Sequence, residues 1–249
     1  MSKTNYSYIG ISFIILVFGI IFIPRIIDRI SNDDITKKDR LSDSVSDNEI
    51  SDLAFIVING EPKKVPNFSF TDQNGNVITN NDYKGKVYVV EFFFTTCPTI
   101  CPLMNTNLVQ IQNEFAGFKD FGVASFTINP EHDTIEILKE YADSYGVTNP
   151  NWHLMTGDEE SIYELANAGF NLYAAEDNEA EGGFEHSGYF ALIDKNGFIR
   201  SRQDNYGNPK VYYRGTVTEE QKYNDDGEQE EISILKEDIA KLLKEAWAN

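Results

Sequence analysis

The sequence predicts an α/β domain whose mixed sheet is flanked by helices, preceded by one N-terminal transmembrane helix. Three observations carry this. The runs Val87–Phe94 and Phe121–Ile128 are almost continuously apolar, as strands buried on both faces are. Stretches with apolar residues three and four apart follow each of them. Thr4–Pro24 carries no charge over the roughly 20 residues a bilayer crossing needs.

The N-terminal segment is apolar on every face, which argues against a buried core helix. A cleaved signal peptide would end in a small-residue site, whereas Pro24, Arg25, Ile26 and Ile27 come next. Residues 1–30 therefore read as a membrane anchor. No Arg-rich, acid-poor transit sequence precedes it, which favours a bacterial inner membrane over an organelle. Residues 31–53, rich in Asp and Ser without apolar periodicity, read as a polar tether. Residues 54–249 then form the globular domain.

Within that domain the elements follow one another with recognisable punctuation. Asn67–Thr71 and Val77–Thr79 flank Asp72-Gln-Asn-Gly-Asn76, and Asn-Gly between alternating residues signals a hairpin. Val87–Phe94 is the first central strand. A helix runs from Pro102 to about Phe115, and Phe121–Ile128 is the second central strand. Ile135, Leu138 and Tyr141–Ala142 mark a helix over Thr134–Tyr145, and Asp158–Ala168 offers another, opened by acids that suit its N-terminal dipole. Tyr189–Ile193, the turn Asp194-Lys-Asn-Gly197 and Phe198–Arg200 form a closing hairpin. Ile232, Leu235, Ile239, Leu242, Leu243 and Ala246 give a last helix its apolar stripe. Strand, Cys motif, helix, strand, helix, hairpin, helix is the order of a thioredoxin-like domain.

Composition narrows the function classes. The formal charge is −19, which argues against nucleic acid as a partner. The chain has two cysteines, Cys97 and Cys101, and three histidines, His132, His153 and His186. That excludes a disulfide-rich scaffold and an all-cysteine zinc site.

The two cysteines sit in Phe94-Thr-Thr-Cys97-Pro-Thr-Ile-Cys101-Pro102, between a buried strand and a helix start, where outward-pointing N–H groups favour thiolate. Pro102 costs nothing in a first helical turn. On a helix, residues four apart hold their Cβ atoms about 5–6 Å apart, wider than the roughly 3.5–4.5 Å of a disulfide. A metal bridging two sulfurs tolerates the wider gap. The spacing thus favours metal ligation and leaves open a redox-active pair. A third ligand must come from elsewhere. His186, in Gly183-Phe-Glu-His186-Ser-Gly, precedes the strand that this fold brings against the Cys loop. His132 follows another strand end, where a solvated cap is the simpler reading, and His153 beside Trp152 reads as a strand-edge or core histidine. Two thiolates and an imidazole suit Cu(I), accept Cu(II), and would accept zinc with a position left open.

These residues carry a specific resemblance. PNFSFTDQNGNVIT, YKGKVYVVEFFFTTCPTICPLM, INPEHDTIEILKEYADSYG, NWHLMTG and FEHSGYFALIDKNGFIR resemble the Sco/SenC family of membrane-anchored copper proteins over Pro66–Arg200. Tyr213-Arg-Gly-Thr216 resembles a further family signature. The family's CxxxCP motif falls on Cys97, Cys101 and Pro102, and its distal ligand histidine on His186. The resemblance implies delivery of copper to the dinuclear copper site of cytochrome c oxidase, with that site's subunit as partner, and a role in keeping its cysteines reduced. It also implies a copper donor or thiol reductase acting upstream. Asn129 stands where the family usually has an acid, and His132 where it usually has Arg or Lys, which weighs against an oxidoreductase role. The resemblance places the domain on the periplasmic side of a single-pass anchor. Counted by charge, Arg25, Arg29, Lys37, Lys38 and Arg40 after the anchor point the other way.

Overall fold

The computed structural model describes residues 16–18, 53–176, 183–204, 206 and 208–247. The expected membrane anchor lies outside the described residues apart from Leu16, Val17 and Phe18, which are helical and exposed. Among the described residues no helix is long and apolar enough to cross a membrane. The chain separates into Met1–Asp47 and Asn48–Asn249, and the second unit holds every element that follows.

In chain order these are β1 (Leu53–Phe55), β2 (Val57–Ile58), β3 (Glu61–Pro62), β4 (Ser69–Asp72), β5 (Val77–Thr79), β6 (Val87–Phe93), α1 (Cys101–Glu114), β7 (Phe121–Thr127), α2 (Ile135–Tyr145), β8 (Trp152–Thr156), α3 (Glu159–Glu164), β9 (Ala174–Glu176), β10 (Phe184–His186), β11 (Tyr189–Ile193), β12 (Ile199–Arg202), β13 (Tyr213–Arg214) and α4 (Ile232–Lys244). The main sheet runs β1-β12-β11-β6-β7-β8-β4-β5, with β13 paired to β11. Strands β6, β7 and β8 are parallel and every other pairing in the sheet is antiparallel. This is the expected thioredoxin-like mixed sheet. Its centre is where the apolar runs predicted it, because β6 and β7 are buried at every residue.

Local chemistry sets the boundaries. The Asp72 carboxylate accepts from the Asn74 and Asn76 N–H groups, and Gly75 takes a φ of +80° to close the β4–β5 turn. Thr134 caps α2 by accepting from the Ile137 N–H, and Gly146 ends that helix in the left-handed region.

Two stretches differ from expectation. Trp152-His-Leu-Met-Thr156 forms a third parallel strand, β8, which the sequence reading leaves unassigned. The helix expected over Asp158–Ala168 is regular only to Glu164. It widens into a π-turn over Leu165–Phe170 and stops at Asn171, whose φ is +53°.

The two faces of the sheet differ. Phe92 packs on Phe126 at 5.4 Å and on Phe170 at 5.8 Å between ring centres, within an aromatic layer that includes Phe68 and Phe70. Phe93, pointing the other way, meets Tyr141 of α2 at 5.5 Å. The strand residue two before it, Glu91, shares that second face.

Candidate metal centre

Strand β6 ends at Phe93, and the chain then turns through Phe94–Ile100 before α1 opens at Cys101 with Pro102 in its first turn. No side chain caps this helix start. Its N–H groups face the loop instead, and the Cys101 N–H lies 3.5 Å from the Cys97 sulfur. The loop is held from below by Asp133. That buried carboxylate accepts from the Thr95 N–H at 3.0 Å, from the Thr95 hydroxyl and from the Thr127 hydroxyl.

The third component arrives on a separate hairpin. β9 and β10 pair antiparallel, with His186 opposite Ala174. Asn167, in the π-turn, bonds both the N–H and the carbonyl of Ala174, which ties the hairpin to the domain. The His186 ring meets Phe94 edge-on at 5.9 Å, and Phe94 in turn packs on Phe184 at 5.2 Å. This apolar wall leaves His186 only 8% exposed and brings its Nε2 to 3.1 Å from the Cys101 sulfur.

The ligand atoms of Cys97, Cys101 and His186 all lie within 4.8 Å of one another. Among the described residues this is the one cluster of three or more metal-ligating side chains. The two sulfurs are not equivalent. The Cys97 sulfur is held well below the ordinary thiol range, first by the hydrogen bond from the Cys101 thiol and then by His186 and the Cys101 and Thr99 N–H groups. Burial, followed by the neighbouring Cys97 sulfur, pushes Cys101 the other way. Negative charge on the pair is thus favoured at Cys97 over Cys101. A soft ion fits this donor set: two sulfurs and one nitrogen, nearly dry, with no carboxylate to favour a hard cation. Both cysteines are free, so the same sulfurs are available for disulfide formation.

The other two histidines lie elsewhere. His132 is half-exposed, and its Nδ1 is 2.9 Å from Asp133 Oδ1 beside Thr95, outside the ligand cluster. His153 Nδ1 is 3.0 Å from Asp72 Oδ2 and its ring meets Tyr83, so it belongs to the β4–β8 seam. Asn129 shapes the turn before α2, its carbonyl accepting from the N–H groups of His132 and Asp133. The acidic stretch 177–182 lies outside the described residues.

Gly188 explains why the histidine hairpin can approach the Cys loop. Its φ is +65°, and a Cβ there would stand 2.7 Å from Thr216 Cγ2 and 3.4 Å from Ile100 Cδ1. The Gly215 N–H donates to the Gly188 carbonyl at 2.9 Å, and Tyr213 pairs with Phe190. Tyr213-Arg-Gly-Thr216 thus fastens onto Gly188 and β11, the strand that follows the His186 hairpin. Gly188→Ala is expected to cost roughly 1–3 kcal/mol of stability through this strain and overlap. It should also weaken metal retention by displacing His186. Chemical denaturation beside a metal competition assay checks both, and unchanged retention would show that Gly188 does not position the ligand.

Sequence reasoning passed over Asp133 and Glu91. Asp133 reads as a helix-start acid, and nothing in the sequence points its carboxylate back at the Cys loop. Glu91 could have been found, as the lone charge within a buried seven-residue strand.

Comparison with known proteins supplies independent findings. A family model described as SCO1/SenC matches residues 58–218. A SCO2-like protein of Rickettsia typhi is 36% identical over 138 residues, covering 52% of this chain and 64% of the relative. A putative copper-binding protein of Stutzerimonas stutzeri is 27% identical over 159 residues, covering 61% and 75%. Among solved structures, a SCO1/SenC family lipoprotein of Bacillus anthracis aligns with a TM-score of 0.59 at 27% identity, covering 72% of this chain and 95% of its own. BsSco, described as a Sco-family cytochrome c oxidase assembly protein with a disulfide switch, aligns at 0.57 and 25% identity, covering 73% and 94%.

Proposed function

This chain belongs to the SCO1/SenC family, and on that premise we propose that it binds copper through Cys97, Cys101 and His186 and delivers it during cytochrome c oxidase assembly. The observation that carries the reading is the convergence of two sulfurs and one imidazole nitrogen within 4.8 Å in a nearly dry site. Such a set retains Cu(I) through the sulfurs and accepts Cu(II) with the imidazole as third donor. Similarity to the Stutzerimonas copper-binding protein supports copper as the cargo, and similarity to BsSco, a cytochrome c oxidase assembly protein, supports oxidase assembly as the setting. The recipient is the oxidase's dinuclear copper site on its copper-bearing subunit.

A second reading, thiol–disulfide exchange on oxidase cysteines, is favoured by one specific observation. Two free cysteines whose sulfurs lie within 4.8 Å, with charge favoured on the less buried Cys97, suit an attacking and a resolving sulfur. His186→Ala separates the two. If copper handling is the function, the variant weakens copper binding, loses the visible thiolate-to-Cu(II) absorption and fails to assemble active oxidase, while its two sulfurs still form a disulfide. Full oxidase activity in cells whose His186→Ala protein no longer binds copper would establish the exchange reading instead.

The domain is proposed to face the periplasm from a single-pass anchor in the bacterial inner membrane, where the oxidase copper site matures. Description of the Bacillus anthracis neighbour as a lipoprotein supports a membrane location. A reporter fused after Asn249 should be active only outside the cytoplasm, and cytoplasmic activity alone would reverse the orientation.

A further inference from the structure

His186 reaches the dithiol on a hairpin that is too small to hold itself in place. β9 and β10 pair with each other over three residues, outside the main sheet. A two-stranded hairpin alone is marginally stable in water. The Ser187 N–H donates to the Tyr173 carbonyl at 3.1 Å, which makes Tyr173 and Ser187 a bonded pair. The next pair along, Ala174 and His186, is then one whose backbone groups point away from each other. The outward N–H and C=O of Ala174 need a partner on the far side of β9.

One side chain takes both. Asn167 Oδ1 accepts from the Ala174 N–H at 3.1 Å, and Asn167 Nδ2 donates to the Ala174 carbonyl at 2.9 Å. A carboxamide offers one face with a donor and an acceptor, as a peptide group does, so Asn167 stands where a neighbouring strand would. The local backbone is shaped for this contact. Asn167 lies inside the π-turn Leu165–Phe170, a distortion that gathers at functional sites. The Tyr212 hydroxyl donates to the Phe170 carbonyl and fixes the end of that turn. Asn171, with its φ of +53°, then reverses the chain, and the Leu172 N–H returns to the Ala166 carbonyl at 3.0 Å. That reversal lays Ala174 beside Asn167, seven residues on.

We propose that Asn167 is a positioning residue of the metal centre: its carboxamide holds the β9–β10 hairpin where His186 meets Cys101, and so sets how well the site keeps Cu(II) relative to Cu(I). This deepens the copper reading and rests on it for the effect on oxidation state. Cys97 and Cys101 come from the β6–α1 loop and from α1, so both sulfurs stay in place when the hairpin loosens. They continue to retain Cu(I), whereas Cu(II) draws on the imidazole that the hairpin delivers.

The test compares the reduced, detergent-solubilised full-length parent with Asn167→Ala and Asn167→Asp. Alanine is a better helix former than asparagine, so a defect in Asn167→Ala cannot come from lost helix propensity. Aspartate keeps an acceptor for the Ala174 N–H but turns a second oxygen towards the Ala174 carbonyl, and should fail as alanine does. The first measurement is backbone hydrogen exchange of the metal-free proteins, read by mass spectrometry on short fragments. Residues 184–190 should exchange roughly tenfold faster in both variants, although the bonds removed are at Ala174, while residues 101–114 should not change. The second is copper titration. Cu(II) affinity should fall about 10–100-fold, the range for losing a group that supports a metal ligand, and Cu(I) affinity should fall far less. The imidazole nitrogen signature in the Cu(II) paramagnetic resonance spectrum should weaken in step. Equal exchange of residues 184–190 in the parent and in Asn167→Ala overturns the proposal. So does an equal loss of Cu(I) and Cu(II) affinity, which would mark Asn167 as a purely structural contact. A parent whose residues 172–176 exchange as fast as an open chain also overturns it, with no variant needed. A parent that binds no copper defeats the copper reading and the oxidation-state effect with it, while the metal-free exchange still decides whether Asn167 holds the hairpin.

Discussion

Reduced protein carrying Cys101→Ser is expected to retain no tightly bound Cu(I), and Cys97→Ser should behave alike. Each substitution leaves one sulfur and the His186 nitrogen of a three-donor site, and a serine hydroxyl is too hard a donor to replace a thiolate on a soft ion. Removing an outer residue that merely supports a metal ligand costs roughly 10–100-fold in affinity, so loss of a sulfur itself should exceed that. Fold stability should change far less. Cys97 sits at the edge of the pocket with 7% exposure, whereas Cys101 is wholly buried, so Cys101→Ser carries the larger penalty for burying a hydroxyl, about 1–3 kcal/mol. Copper competition against a chromophoric Cu(I) chelator, beside denaturant unfolding, resolves the two effects. Stoichiometric, tight retention by either variant would sink the three-donor site.

Why the ligands were legible and their setting was not follows from the range of the forces involved. The Cys97 and Cys101 pair is a local pattern, four residues apart across the loop that leads into a helix, and α1 opens where Pro102 requires. The apolar runs of β6 and β7 are likewise local and became the centre of the sheet. His186 could be singled out from the residues only by its place before a strand near the Cys loop, with the resemblance to favour it, because its approach to Cys101 depends on the Phe94–Phe184 wall and on Gly188 fitting against Thr216, contacts distant in sequence. β8 escaped notice because Trp152-His-Leu-Met-Thr156 lacks the β-branched run that marks its neighbours. Its place is secured instead by pairing with both β7 and β4. The π-turn after α3 comes from Gly169 and Asn171 at the helix end, where the sequence period continues but the backbone does not. Asp133 shows the same limit, since a carboxylate one residue ahead of a helix cap is ordinary until Thr95 and Thr127 are seen to donate to it.

Glu91 has a thermodynamic consequence independent of any reaction. Its carboxyl is raised by burial to about 7 in the folded protein, while the unfolded chain leaves it at the ordinary glutamate value near 4.5. Between these values the folded state binds a proton that the unfolded state has released. Stability contributed by this group is therefore full below about pH 4.5, falls as pH rises towards 7, and is constant above. At about 1.4 kcal/mol per pH unit, the loss across the window amounts to about 3 kcal/mol. Glu91→Gln abolishes the titration while keeping an oxygen to accept from Ser125. The variant carries the cost of burying an unpaired amide N–H at both pH values, so it should gain on the parent by up to that amount between pH 5 and pH 8. The other acidic groups of this −19 chain also titrate, but they are common to both proteins and cancel in the difference. Urea unfolding of the pair at pH 5 and pH 8 is the measurement. A difference between them that does not change with pH would mean that Glu91 is not held protonated in the folded state, and that its burial is compensated by contacts other than the bond from Ser125 and the Trp152 indole N–H behind it.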